Sequence, residues 1–125
     1  MGAELGGRRF PIAVGLDFAG TVAATGAGVA GYRVGDRVCG MVHPRQRHSV
    51  AGAAEYVVVS ADRIAHAPAD LPSAETAARV AAGSTALIAL GDSVRLVSGE
   101  RALVRGAAGG VGTAAVQLAH QWAAG

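Results

Sequence analysis

Lysine is absent from this 125-residue chain, and cysteine and aromatic residues are scarce. All eleven basic side chains are therefore arginine, and they are scattered. The closest groupings, Arg8-Arg9 and Arg45/Arg47, are too short to track a phosphate backbone, so no nucleic-acid partner is expected. A single cysteine, Cys39, excludes an intramolecular disulfide and a cysteine-held structural zinc, and it fits a cytoplasmic protein. Long hydrophobic runs are also missing. "RRFPIAVGLDFAG" has the basic-then-apolar order of a secretion signal, but Asp17 interrupts it before a full apolar core is reached. Residues 106–125 lack Asp, Glu, Lys and Arg over a span long enough to cross a bilayer. Their five glycines, Gln117, Gln121 and His120 argue instead for a half-buried soluble helix behind a loop, so no membrane partner is expected.

What is abundant is small and apolar. Hydrophobic residues make up 51% of the chain, with Phe10, Phe18, Tyr32, Tyr56 and Trp122 as the only aromatic ones, so the core must be built from Ala, Val, Leu and Ile. The glycines follow no fixed interval and punctuate turns rather than mark a repeat. In the first sixty residues, "PIAVG", "FAGTVAAT", "DRVCGMV" and "AAEYVVVS" have the composition of short strands, with a tight turn at Gly35-Asp36. An all-β segment is expected there, a partly open barrel. Around Asp70 the character changes. Asp70 or Ser73 can cap a helix, Pro72 suits its first turn, and an Ala-rich stretch follows, which Gly83 is expected to divide in two. After a Ser98-Gly99 turn, Ala102–Arg105 is a further strand candidate.

The last helix has the clearest periodicity. Val111, Ala114, Ala115, Leu118, Ala119 and Trp122 form one apolar face, with Thr113, Gln117, His120 and Gln121 away from it. Before it stands Gly106-Ala107-Ala108-Gly109-Gly110-Val111-Gly112, an A-x-G-x-x-G variant of the dinucleotide fingerprint. Gly109 and Gly110 leave no Cβ in the way of a pyrophosphate, Gly112 permits close packing of the helix, and the helix N-terminus favours an anion. A purely structural turn is the competing reading of the same glycines.

The order of motifs resembles the medium-chain dehydrogenase/reductases, in the zinc-independent quinone oxidoreductase branch related to zeta-crystallin. The residues that carry the resemblance are "GLDFAGTVAATGAGVAGYRVGDRVCG", "AAEYVVV", Thr85-Ala86 and "GERALVRGAAGGVGTAAVQLA". It implies a mixed β and α/β fold: a partial GroES-like β-barrel over 1–70, connecting helices over 71–100, and the first strand, loop and helix of a Rossmann domain over 101–125. It further implies NADPH, with NADH as the alternative, held by Thr85, Ala108, Gly109, Gly110, Val111 and Gly112. Hydride would pass to a quinone or another α,β-unsaturated carbonyl.

The zinc-dependent branch reads Gly-His-Glu where this chain has Gly15-Leu16-Asp17, and cysteine where Ala81 stands. Two ligand positions are thus apolar, and no zinc is expected. His43 and His48, five residues apart across a proline loop, make a poor metal or acid/base pair. His66 and His120 are expected at the surface, and Cys39 as a small apolar side chain. No catalytic acid or base is assigned; Tyr32, Tyr56 and His43 are the only exceptions to consider. Segments that the family carries on both sides have no counterpart here, so the chain looks like the middle of a larger enzyme, with an exposed apolar face through which copies would associate. A non-enzymatic GroES-like binding or assembly module, or an inactive truncated product, is the alternative.

Overall fold

The computed structural model describes residues 14–42 and 51–123, together with the backbone of Glu4–Leu5 and Arg8–Arg9. The chain divides into two compact units, Met1–Ala77 and Ala78–Gly125.

In the first unit, β1 (Glu4–Leu5) and β2 (Arg8–Arg9) form a short antiparallel pair. The main element is a three-stranded antiparallel sheet in the order β3 (Asp17–Thr21), β4 (Arg37–Met41), β5 (Ile64–His66). Its register pairs Phe18 with Gly40 and Gly40 with Ile64, so β4 is central. Val38 on β4, with Val42 just beyond it, supplies the buried apolar side. Between β3 and β4, the Asp36 amide donates to the Arg33 carbonyl, and Gly35 takes φ +98° at the third turn position, where a side chain would be strained. The Asp36 carboxylate closes the same turn by accepting from the Arg33 amide at 2.8 Å.

Sequence composition alone did not expose the role of Arg37. Its guanidinium donates to the carbonyls of Pro68 (3.1 Å), Ala69 (2.8 Å) and Leu71 (2.5 Å), which ties the segment after β5 to the sheet. Tyr32 donates its hydroxyl to the Ile64 carbonyl at 2.7 Å and packs its ring 4.9 Å from that of His66.

Helix α1 (Ser73–Leu87) begins with Pro72 in the cap position: the Thr76 amide bonds the Pro72 carbonyl at 2.9 Å, and the buried Thr76 hydroxyl donates to the same oxygen. Gly83 does not divide this helix. Glycine costs about 1 kcal/mol against alanine in a helix interior, less than a run of good helix formers supplies over four turns. A Cβ at Gly83 would meet nothing within 4 Å. Gly83→Ala is therefore expected to raise stability by about 0.5–1 kcal/mol in urea titrations.

Past Leu87 the chain continues as a π-helical segment, Ile88–Val94, which stops at Arg95 in the left-handed region (φ 57°, ψ 48°). Helix α2 spans Gly110–Ala123. The core of the second unit is Ala86, Leu90, Ala115 and Ala119, with Leu96, Val104, Ala114, Leu118 and Trp122 packed around it. Burial of Leu90 alone contributes about 2 kcal/mol. The periodic face of α2 is borne out except at Val111, which is 41% exposed. The Ser98-Gly99 turn is present, closed by the Glu100 amide on the Val97 carbonyl and by the Glu100 carboxylate on the Val97 amide.

Two strand candidates form no ladder. Neither Ala53–Ser60 nor Ala102–Arg105 is paired in a sheet. Their composition suits a pleated surface, but a strand also needs a neighbour to take its backbone groups, and neither stretch is bonded into a described ladder. Of "PIAVG", residues 11–13 lie outside the described residues.

Candidate functional site

The glycine loop is fastened from within. The Gly109 amide donates to the Gly106 carbonyl at 3.0 Å, and Gly106 takes φ +70° to present that oxygen. The Thr113 amide makes the first helical bond of α2, to the Gly109 carbonyl at 2.8 Å. Its hydroxyl lies 2.9 Å from the same oxygen and 3.2 Å from the Ala107 carbonyl. Thr113 thus stitches the loop to the helix. Reading α2 only as an apolar stripe missed this, although a hydroxyl four residues after Gly109 was the available signal.

Gly112 is buried against the loop. A Cβ there would run into the Gly106 carbonyl oxygen and come within 2.7 Å of the Ala107 Cα. So the close packing expected of Gly112 is real, but its partner is the loop itself, not a strand. Gly110 is different: a Cβ would make only ordinary contact, 3.7 Å from that of Ala82. The amides of Gly110, Val111 and Gly112 have no backbone acceptor among the described residues. They are the three N–H groups that a helix start leaves free for an anion, while Gly109 spends its own on the loop. Ala108 and Thr85 are exposed, and the Thr85 hydroxyl donates to the Ala81 carbonyl at 2.7 Å, leaving its lone pairs to accept.

Of the acid/base exceptions, Tyr32 and Tyr56 are among the described residues. Tyr32 has its proton committed to Ile64, and Tyr56 is 72% exposed. Both line a cleft of about 510 Å³ in the first unit, whose wall is mainly Val, Ala and Gly. His43 and His48 lie outside the described residues. His66 and His120 are exposed, and Cys39 is half-buried. No three of His, Cys, Asp and Glu converge as metal ligands among the described residues. The described residues contain no helix long and apolar enough to cross a membrane.

Asp17 opens β3 with its Oδ1 enclosed and without a hydrogen-bond partner among the described residues. Desolvation pushes its carboxyl up from the ordinary 3.8. A raised native value means the folded chain holds its proton more tightly than the unfolded one, so this group adds stability as pH falls through the raised value, fully so below 3.8. Asp17→Asn should flatten that acid-side gain. Urea midpoints measured between about pH 7 and about pH 4 check it, and an unchanged pH slope would count against the burial.

Residues 2–69 match the alcohol dehydrogenase GroES-like domain, more than half of the chain. The chain belongs to that family. Its relatives include oxidoreductases and polyketide synthases. Over 122 residues it is 35% identical to the mouse (Mus musculus) mitochondrial NAD(P)H oxidoreductase RTN4IP1, covering 94% of this chain and 30% of that protein. Among solved structures, the quinone oxidoreductase from Coxiella burnetii superposes with a TM-score of 0.76 at 35% identity, over 88% of this chain and 34% of its own. CurK enoyl reductase gives a TM-score of 0.76 at 31% identity, over 86% and 31%. The chain therefore spans about a third of the length of each. The resemblance to medium-chain dehydrogenase/reductases and the partial GroES-like fold both stand.

Proposed function

We propose that the chain supplies the phosphate-binding end of an NADPH-dependent reductase that passes hydride to a quinone or another α,β-unsaturated carbonyl. The observation that carries this is the loop at the start of α2: three successive amides lack a backbone acceptor where Gly112 packs the helix closely onto Gly106 and Ala107. The pyrophosphate would take the amides of Gly110, Val111 and Gly112, with Ala108 and Gly109 shaping the approach, and Thr85 would accept at the nicotinamide end. When bound, the cofactor supplies the hydride. The chain's own residues orient it and keep water from it.

On this reading, residues 1–70 belong to the barrel domain, 71–100 connect, and 101–125 open the dinucleotide-binding domain. Zinc independence is part of the proposal, resting on Leu16 and Ala81 at the positions where ligands would be needed. So are the preference for NADPH over NADH and a cytoplasmic location; "mitochondrial" belongs to the RTN4IP1 relatives' names. The test is an enone and quinone reduction assay on the longest polypeptide containing this sequence, with either nicotinamide. Turnover with NADPH and without added metal is expected. Turnover that is lost on metal chelation and regained with zinc would overturn the zinc-independent assignment.

A further inference from the structure

We propose that the π-helical segment Ile88–Val94 positions the phosphate loop, by turning Gly91 toward α2 so that this helix is held at both ends. The proposal rests on the reading of the loop as a nucleotide cradle. At one end of the contact, Ala82 Cβ lies 3.7 Å from where a Cβ on Gly110 would stand; at the other, the Trp122 ring lies 3.5 Å from where a Cβ on Gly91 would stand. Ala82 and Gly91 are nine positions apart, and at about 100° per residue a straight α-helix would put them on opposite sides, ~180° apart. Both nevertheless face α2. The wider i→i+5 winding after Leu87 contributes to this, because it slows the rotation and brings Gly91 part of the way round, while keeping Leu90 in line with Ala86 against Ala115 and Ala119.

The segment is pinned at its far end, where the amides of Arg95 and Leu96 both donate to the Leu90 carbonyl and Arg95 takes a left-handed conformation that side chains adopt at a cost. Strain of this kind persists where surrounding structure enforces it, and π-turns recur at functional sites. Glycine at 91 leaves room for the Trp122 ring. Anything much larger would push the ring away and tilt α2 from its loop end.

Deletion of the exposed Ala89 is the direct test, since it removes one residue from the wide turn and restores α-helical winding. The expected result is retained helical circular dichroism, a red shift of emission from Trp122, the only tryptophan, and at least a tenfold rise in the NADPH dissociation constant. Gly91→Ala should keep both properties, and Gly91→Leu should lose both, which preserves the test if the deletion does not fold. Val42→Ala, at a buried position of the first unit, serves as a destabilised control that lowers the urea midpoint without changing NADPH affinity. A red shift with unchanged affinity overturns the positioning role, and unchanged emission overturns the register assignment. Should the parent chain bind no NADPH, the cradle reading fails and the positioning role falls with it, while the emission shift still decides whether the π-turn seats Trp122.

Discussion

Alanine in place of Gly112 is expected to abolish NADPH binding and to destabilise the second unit by about 1–3 kcal/mol. Two effects oppose each other at this position. Alanine is the better helix former by about 1 kcal/mol. Against that, its methyl group would occupy the space of the Gly106 carbonyl oxygen and crowd the Ala107 Cα at 2.7 Å. Both obstacles are backbone, so they can yield only if the loop unwinds, and the loop carries the bonds from Gly109 and Thr113 that hold it in shape. The clash should therefore win. A fluorescence titration with NADPH, alongside urea unfolding followed by Trp122 emission, measures both halves. Wild-type affinity in Gly112→Ala would mean that the observed closeness of loop and helix is not what binding requires.

Gly40→Val carries the second large effect, an expected loss of about 2–3 kcal/mol in the first unit. Gly40 is central in β4, opposite Phe18 on one side and Ile64 on the other. A Cβ at this position would strike the Arg63 carbonyl oxygen and approach Phe18 Cζ at 3.0 Å and Ile64 Cγ2 at 3.1 Å. The side chain of Ile64 could shift by a few tenths of an ångström. The Arg63 carbonyl, which sits in the short 3₁₀ turn Ala61–Arg63 leading into β5, could not do so without disturbing the ladder. The unfolding midpoint by far-ultraviolet circular dichroism reports the loss. A midpoint within about 2 °C of the parent would show that the turn at 61–63 yields freely.

Much of this architecture was legible where the signal is local. The periodicity of α2, the Gly-Asp turn before β4, and the glycine loop all follow from residue types at fixed spacing, and each is present. Signals that depend on a distant partner were less legible. "AAEYVVVS" and Ala102–Arg105 have the right side chains for strands, but pairing is decided by what lies beside them. Gly83 looked like a breaker because glycine is costly in isolation, yet Ala-rich neighbours outweigh a single glycine. The bonds from Arg37 to three carbonyls more than thirty residues away leave no mark on local composition. In the candidate site, the glycine loop before α2 was readable, whereas the division of labour among its glycines was not. Gly109 fastens the loop, Gly112 packs it, and Gly110 lies against Ala82, a distinction that only the hydrogen bonds and close approaches reveal.

The most direct test of the central claim is an NADPH titration of the 125-residue chain, followed by nucleotide fluorescence and run beside Gly110→Val. Saturable micromolar binding by the parent chain is predicted, lost in Gly110→Val, because a branched side chain there would press on Ala82, 3.7 Å from the first added carbon, and displace the helix start that carries the free amides. A folded parent chain that binds no NADPH, or a Gly110→Val chain that binds it equally well, would contradict the assignment and leave the glycine loop as a structural turn.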